Sequence, residues 1–325
     1  MIIFFKKIKN IGGPSSFQKK FIGWLKQNKI EYDFLKKKNI FKKKVLFINS
    51  GTFNILLLFI SSLFGTKIVQ RLNGFYDLKK VKTKYYLRCY LINFSMQLIR
   101  KYLSDRIIYQ SKKSKTLWDK NFGEVKTKCS IIYNPSFFQS IYSNYLKSKK
   151  FNILIVEGNL ENETYYKYLL NTLSVAVQNS KELGKIIVFG NVNINLKKEI
   201  IFKNNFKFMN SVSHLKLKNF YKNNRNLIFF GIEFNPSCSN SIIEATSCGI
   251  PSITLDTGSY KELIGNAGIQ ISYKSIHDEN LRYKIIDSLR NIIRNYKLYS
   301  YRSIKNSEKF YPKNIFDKYL KVINN

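Results

Sequence analysis

The residue types and spacing that could do chemistry are concentrated in one run, 235–251, which reads Asn-Pro-Ser-Cys-Ser-Asn-Ser-Ile-Ile-Glu-Ala-Thr-Ser-Cys-Gly-Ile-Pro. Its polar loop leads into a short predicted helix that stops at Gly249 and Pro251, with Glu244 in the predicted first turn. A helix N-terminus presents free N–H groups to anions, and a carboxylate accepts hydrogen bonds from hydroxyls. The pattern therefore predicts a site for a phosphorylated or polyhydroxylated ligand. The alternative is a capping box from Ser241 to Glu244, in which the glutamate only satisfies a backbone donor.

The elements that position this run alternate between strands and helices along nearly the whole chain. Predicted strands cover 2–5, 32–35, 45–49, 67–71, 106–110 and 129–133, and then 151–156, 185–189, 206–209, 227–230, 252–255 and 268–272. Helical patterns between them indicate right-handed crossovers and mostly parallel sheets. We predict an α/β protein with two Rossmann-like doubly wound domains that face each other across a cleft, where ligands bind at the carboxyl ends of the strands. The predicted domains are 1–140 and 141–305, followed by a C-terminal helix in 306–325 that is expected to pack back on the first domain.

Loops that follow the predicted strands are expected to face this cleft. Gly12 and Gly13 stand directly before a helix, where paired glycines let the backbone approach a ligand; a tight turn is the alternative. Arg71 and Asn73 end another strand, and there the alternative is a surface arginine and a turn asparagine. In the second domain, the loop 256–259 precedes a predicted helix and has the same expected orientation.

The net charge of the chain favours some classes of binding partner over others. The 325 residues include 56 lysines and arginines but 20 acidic residues, a formal net charge of +36. Lysine, asparagine and isoleucine are enriched together, as in AT-rich coding sequences, but the shortage of acidic residues leaves a real positive field. Such a field favours an anionic membrane surface or a phosphate-bearing substrate. The sequence has no helix-turn-helix, RNP-like motif or zinc finger, so specific nucleic-acid recognition is not predicted.

Cysteine spacing indicates the redox setting of the protein, and the length of its apolar runs tests for a membrane span. The four cysteines show no paired or metal-binding spacing, which predicts free thiols in a reducing, cytoplasmic setting. The most apolar stretch, 53–64, is shorter than the roughly 20 residues that a membrane span needs. It predicts a buried helix instead. The short apolar start of the chain does not predict a signal peptide.

Together these features resemble the GT-B glycosyltransferases, and within them family 4, the glycosyl transferases group 1. The resemblance rests on the Gly-Gly-Pro at 12–14, on the segment 239–251 and on Thr-Gly-Ser-Tyr-Lys-Glu-Leu at 257–263. It implies that Glu244 binds the nucleotide ribose hydroxyls and that the Gly-Gly loop approaches the donor phosphates or the acceptor. It also implies that a sugar moves from a nucleotide donor with retention at the anomeric carbon, without a metal or other cofactor.

The chain departs from the family pattern at two places. Pro236 stands where the family has a first glutamate, eight positions before the second, and Glu233 is a candidate substitute three residues earlier. The family places a basic clamp for the diphosphate after the first strand of the second domain. There this chain has Asn159 and Tyr165, and Lys167 is the nearest basic residue.

These assignments define the predicted site. The predicted catalytic residues are Glu233, Asn73 and Arg71, the last two on the acceptor side. The predicted donor-binding residues are Glu244, Ser239, Asn240, Ser241, Gly12, Gly13, Asn159, Lys167, Thr257 and Gly258. No metal ligand is predicted.

The resemblance therefore implies a retaining, metal-independent hexosyltransferase that uses a nucleotide-sugar donor and a glycan or lipid-linked acceptor in cell-surface polysaccharide synthesis. The cysteine pattern predicts a cytoplasmic protein, and the positive charge predicts peripheral association with the inner face of the plasma membrane. Two alternatives stay open. One is a catalytically inactive GT-B-like sugar-binding protein, which Pro236 favours, and the other is a basic nucleic-acid-binding α/β protein.

Overall fold

The structure of the protein, a computed structural model, describes residues 1–7, 13–36, 44–79, 81–138, 150–161, 163–224, 226–276 and 278–324. The chain forms two compact units. The first comprises Met1–Pro135 together with Phe310–Asn325, and the second comprises Ser136–Lys309.

The first unit is built around a parallel sheet. Its strands are β1 (Ile2–Phe4), β2 (Tyr32–Phe34), β3 (Val45–Asn49), β4 (Lys67–Leu72), β5 (Arg106–Tyr109) and β6 (Cys129–Ile131). The helices between them are α1 (Gly13–Gln27), α2 (Ile55–Leu63), α3 (Thr83–Leu98), which continues as a π-helical turn at Ile99–Leu103, and α4 (Lys112–Phe122). Within the described residues the strand order is β2-β1-β3-β4-β5-β6, with every pair parallel. The direction of winding therefore reverses between β1 and β3.

Helices cover both faces of this sheet because neighbouring residues of a strand point to opposite faces. Leu46 and Ile48 form a buried cluster with Leu58 of α2. Phe47, which lies between them on β3, points the other way, and its ring centroid is 5.8 Å from that of Phe21 in α1. The layer formed by α2 and α3 thus lies on the face opposite α1.

The second unit repeats this architecture. Its strands are β7 (Phe151–Leu160), β8 (Leu183–Val192), β9 (Phe206–Phe208), β10 (Leu227–Gly231), β11 (Ser252–Leu255) and β12 (Gly268–Ile271). Its helices are α5 (Thr164–Gln178), α6 (Ile194–Glu199), α7 (His214–Asn223), α8 (Asn240–Ser247), α9 (Tyr260–Ile264), α10 (Glu279–Arg294) and α11 (Tyr296–Ser307). In the described part of the unit the strand order is β12-β11-β10-β7-β8-β9, again all parallel. The winding reverses between β7 and β10, and ligands of open α/β sheets bind at the carboxyl ends of strands at such a point.

The last helix, α12 (Pro312–Asn324), belongs to the first unit. The ring of Phe316 stacks on Phe21 of α1 with centroids 4.9 Å apart and planes 11° apart. It also contacts Trp24 at a centroid distance of 5.2 Å. Residues far apart in sequence therefore build the core on this face of the first sheet.

The stretch 53–64 does form a helix, but the prediction that this helix is buried is wrong. Leu58 lies in the core, whereas Leu56 and Leu63 are 71% and 69% exposed. Nothing in the described residues covers the outer face of α2, although its side chains are apolar. Among the same residues, no helix combines the length and apolar character needed to cross a membrane.

Candidate functional site

Two carboxylates lie at the point where the winding of the second sheet reverses. Glu157 lies near the carboxyl end of β7, at a break in the register of its pairing with β8. Glu233 follows β10, the strand that pairs with β7 on its other side. Burial, and then the charge of Glu157, raises the pKa of Glu233 to about 8. Burial also raises the pKa of Glu157. Ionising both of two half-buried carboxyl groups in one site costs free energy. The pair therefore retains a proton at neutral pH.

Tyrosines surround this carboxyl pair. The Tyr260 hydroxyl accepts a 3.0 Å hydrogen bond from the backbone N–H of Glu233. The Tyr165 ring packs on Phe234 with centroids 5.4 Å apart, and its buried hydroxyl has no hydrogen-bond partner in the described part of the chain. Because a buried unpaired hydroxyl costs free energy, Tyr165 is well suited to donate to a ligand at this site.

The helix α8 begins two residues earlier than a capping box at Ser241 would place its start. Ser239 is its N-cap residue, and Asn240 is its first helical residue. Glu244 is therefore the fifth residue of the helix, and the prediction that it lies in the first turn is wrong. The capping-box alternative is wrong for the same reason, since Ser241 is inside the helix and the position that a capping glutamate needs is held by Ile242.

The serines before and within α8 connect the helix to the carboxyl pair. Ser239 makes no side-chain cap. Its hydroxyl lies 2.9 Å from that of Ser241 and hydrogen bonds to the Glu233 carboxylate. The N-terminus of α8, the end of a helix that favours anions, thus lies beside Glu233.

Glu244 is buried, with 2% of its surface exposed. One carboxylate oxygen lies 3.3 Å from Nδ1 of His214, the first residue of α7, whose imidazole is largely exposed. The Tyr221 hydroxyl also lies close, and its pKa is raised by burial and then by the Glu244 charge. A buried carboxylate with an exposed histidine beside it can accept hydrogen bonds from a pair of ligand hydroxyls.

Pro236 joins the two loops that follow β10 and β11. Its carbonyl accepts a 2.8 Å hydrogen bond from the Ser259 backbone N–H, and the Thr257 hydroxyl accepts one of 3.1 Å from the Asn235 N–H. Gly258 has a φ of 55°, and a Cβ atom there would lie 2.3 Å from Pro236 Cδ. The predicted donor-binding residues Thr257 and Gly258 therefore hold the loop that leads to α8.

Asn159 and Lys167, two of the predicted donor-binding residues, have other partners. The Asn159 side chain accepts a 3.2 Å hydrogen bond from Asn191. The Lys167 ammonium lies 2.6 Å from a carboxylate oxygen of Glu199, at the end of α6. The structure does not bring Lys167 to the carboxyl pair, and its role in donor binding stays a prediction.

In the first unit the predicted residues lie in a buried polar network. The Arg71 guanidinium is buried and donates to the side chains of four residues, Tyr319, Asn49, Asn73 and Asn134. This burial favours a positioning role at the strand ends; direct contact of Arg71 with a substrate stays a prediction. The Asn73 amide oxygen also accepts from Gln110 at 2.6 Å, while its Nδ2 is buried without a hydrogen-bond partner among the described residues.

The remaining predicted residues are only partly described. Gly13 is the first residue of α1, and a Cβ atom there would meet nothing within 4 Å. Gly12 lies outside the described residues. In the described part of the chain, no group of three or more histidine, cysteine, aspartate or glutamate side chains is placed to hold a metal ion.

Sequence reasoning named Tyr165 at the expected clamp position without giving it a role, and it missed three residues of the site: Glu157, His214 and Tyr260. Glu157 follows a predicted strand, so its position at a strand end was visible. Its proximity to Glu233 depends on β7 pairing with β10, and the order of strands in a sheet is not encoded in the local pattern. The contact of His214 with Glu244 likewise depends on the order of strands in the folded sheet.

Comparison with known proteins agrees with this architecture. The family model described as "Glycosyl transferases group 1" matches residues 138–305. HepE from Anabaena, solved in complex with UDP, is 12% identical and has a TM-score of 0.72 over 99% of each chain. Sucrose-phosphate synthase from Thermosynechococcus elongatus is 11% identical, with a TM-score of 0.73 over 99% of this chain and 98% of that one.

A third similar structure is longer than this chain. The pneumococcal O-GlcNAc transferase GtfA, in complex with UDP and GlcNAc, is 16% identical with a TM-score of 0.65. The match covers 88% of this chain and 58% of that one, so the chain spans 58% of the length of that enzyme. No curated protein sequence matches the chain. Two parallel, Rossmann-like sheets and a family match over more than half of the residues lead to one assignment: the chain has the GT-B fold and belongs to the glycosyl transferases group 1.

Proposed function

We propose that this protein transfers a hexose from a nucleoside diphosphate sugar, and that Glu244 holds the ribose hydroxyls of the donor. The observation that carries the proposal is the buried Glu244 carboxylate in α8, inside the region that matches the family model. The presence of UDP in the HepE and GtfA structures supports a uridine nucleotide as the first donor to test.

The surrounding residues can supply the other contacts that such a donor needs. The N-terminus of α8 offers N–H groups to the diphosphate, which gains negative charge as it leaves. Because the carboxyl pair keeps a proton at neutral pH, Glu233 or Glu157 can donate a hydrogen bond to the sugar as well as accept one. Glu233 is the catalytic candidate of the pair, since it is the closest carboxylate in sequence to the position held by Pro236.

The finer parts of the proposal concern the reaction and its acceptor. We place the transfer in the retaining, metal-independent class that family 4 implies, with Asn73 on the acceptor side. The strong positive charge supports an anionic glycan or lipid-linked acceptor at the cytoplasmic face of a membrane, as in cell-surface polysaccharide synthesis. Anomeric proton signals of the product, and turnover in the presence of a chelator, test the first two points directly.

Isothermal titration with UDP-, GDP- and ADP-sugars tests the central claim. We expect at least one donor to bind, and the Glu244→Gln variant to raise its Kd by about tenfold or more, because the charged acceptor of two hydroxyls is lost. Glu182→Gln, which changes an exposed carboxylate of the same unit, is the matched control and should leave the Kd unchanged. If no donor binds, or Glu244→Gln binds as well as the unmodified protein, the proposal fails.

Pro236 supports a second candidate function, a sugar-binding protein without turnover. Its ring occupies the position of the family's first glutamate and is buried against Gly258. Donor binding without release of nucleoside diphosphate, tested across a panel of glycan and lipid-linked acceptors, would favour this function. Salt-sensitive binding to any duplex, with no donor binding, would favour the nucleic-acid alternative.

A further inference from the structure

The first unit exposes large apolar side chains on two neighbouring helices, α2 and α3, and we call these side chains together the α2–α3 face. Its members are Leu56, Phe59 and Leu63 on α2, and Tyr86, Leu87, Tyr90, Leu91 and Phe94 on α3, each 42% to 71% exposed. On the surfaces of soluble proteins, large apolar residues usually occur singly, and a contiguous set usually marks an interaction site.

The spacing within each helix shows that this exposure is a helix face rather than a frayed end. Leu56, Phe59 and Leu63 are separated by three and four positions, so they share one side of α2 while Leu58 and Ser61 face the sheet. On α3, Tyr90 and Phe94 are one turn apart, and their rings stack with centroids 6.3 Å apart. The two helices connect successive strands, β3 to β4 and β4 to β5, by right-handed crossovers. They therefore lie side by side on the same face of the sheet.

Basic residues flank the apolar side chains at the N-terminal end of α3. Lys79, Lys82, Lys84 and Arg88 are exposed just before α3 and in its first turns. The Lys84 ammonium lies 4.9 Å from the centroid of the Tyr85 ring. In the sequence 50–104, the single acidic residue is Asp77. The local charge of the face is thus strongly positive.

We propose that the α2–α3 face docks this protein on the surface of an anionic lipid bilayer. Apolar and aromatic side chains flanked by lysine and arginine are the composition of interfacial helices, whose apolar face enters the boundary between head groups and acyl chains. The flanking basic residues complement the negative surface potential of such a membrane. A protein partner would cover the apolar residues equally well, but it would have to supply an acidic rim to match the lysines.

Flotation with vesicles tests the docking surface without any sugar donor, so its outcome is independent of the proposed reaction. We expect the full chain to float with vesicles of phosphatidylglycerol and phosphatidylcholine and to bind phosphatidylcholine alone at least tenfold more weakly. Leu56→Gln with Leu63→Gln should weaken binding to the mixed vesicles by about tenfold or more, because two apolar side chains no longer enter the bilayer. Lys82→Glu with Lys84→Glu should do the same through charge.

Matched controls exist on the second unit. Ile194 and Tyr283 are 70% and 68% exposed, close to the values for Leu56 and Leu63, and their double change to glutamine should leave vesicle binding intact. Lys181→Glu with Lys274→Glu is the control for charge. Since all these side chains are exposed, each variant should keep its melting temperature, and circular dichroism checks this.

Three results would overturn the proposal. The first is equal flotation of the Leu56→Gln, Leu63→Gln variant and the unmodified protein. The second is equal binding to neutral and anionic vesicles. The third is a dimer in light scattering that this variant dissociates, combined with no vesicle binding, which would make the α2–α3 face an interface between copies of the chain.

Discussion

The guanidinium Nε of Arg71, at the carboxyl end of β4, donates a 2.9 Å hydrogen bond to the hydroxyl of Tyr319, in the last helix of the chain. The guanidinium carbon also lies 3.9 Å from the centroid of the Phe17 ring in α1. Arg71 is thus buried between a strand end and two helices, with its charge compensated by side-chain oxygens and an aromatic face. The helix α12 therefore supports the same strand ends that carry Asn73.

Removing the Tyr319 hydroxyl should destabilise the first unit. Tyr319→Phe keeps the ring in the core but leaves the buried Arg71 Nε without this acceptor, a change that costs about 1.5–3 kcal/mol for a hydrogen bond to a charged group. Both tryptophans, Trp24 and Trp118, belong to the first unit, so their fluorescence during urea unfolding reports on it alone. Tyr301→Phe, at an exposed ring of α11, should leave that transition unchanged.

The packing of α12 predicts a larger effect at Phe316. Phe316→Ala removes a fully buried ring that stacks on Phe21 and contacts Trp24, and such truncations cost about 3–5 kcal/mol. The urea midpoint of the tryptophan transition should fall accordingly. Lys318→Ala, an exposed position on the same helix, should shift the free energy of unfolding by no more than about 0.5 kcal/mol. A small effect at Phe316 would mean that α12 is dispensable for the core of the first unit.

Gly258 should not tolerate a side chain. Its φ of 55° is a left-handed conformation that costs a non-glycine residue about 1–2 kcal/mol. In addition, a Cβ atom would overlap the backbone and ring of Pro236, which cannot move without shifting the loop before α8. We expect Gly258→Ala to lower the melting temperature of the second unit and to weaken donor binding. Gly158→Ala places its Cβ in open space and is the control for stability. Equal melting curves for the two variants would contradict the close contact.

The spacing of apolar residues along the sequence predicts most elements of the fold, because strands and helices bury side chains at different spacings. The strand predicted at 45–49 is observed as Val45–Asn49, and the strand predicted at 252–255 is observed as Ser252–Leu255. The helix at 53–64 shows the limit of this reasoning. An apolar composition indicates that a helix needs a partner, but it does not say whether that partner belongs to the same chain.

The candidate site was less accessible to sequence reasoning. Ser239 and Ser241 are equally suitable N-cap residues by type, so the register of α8 and the depth of Glu244 could not be settled from the pattern. The meeting of Glu157 with Glu233 requires the strand order of the folded sheet. Pairing between strands some seventy residues apart leaves no local signal.

The carboxyl pair predicts that the free energy of unfolding of the second unit depends on pH. The pKa of Glu233 rises from its ordinary 4.5 to about 8 in the folded protein, first through burial and then through the Glu157 charge. Between pH 4.5 and about pH 8, the folded state therefore holds a proton that the unfolded chain releases. The free energy of unfolding must therefore fall as pH rises through this window, by at most about 1.4 kcal/mol per pH unit for one proton.

Glu233→Gln replaces this carboxyl group with a neutral amide of the same shape, so the fall in stability between about pH 5 and pH 8 should become shallower. At the upper end of the window the variant should be more stable than the unmodified protein, since it no longer carries a second negative charge beside Glu157. Urea unfolding of the second unit, followed by circular dichroism across this pH range, measures both effects. Glu182→Gln, at an exposed carboxylate of the same unit, should leave the slope as it is. A Glu233→Gln variant with an unchanged slope, or with lower stability at pH 8, would show that Glu233 is ionised without cost and that the two carboxyl groups do not share a proton.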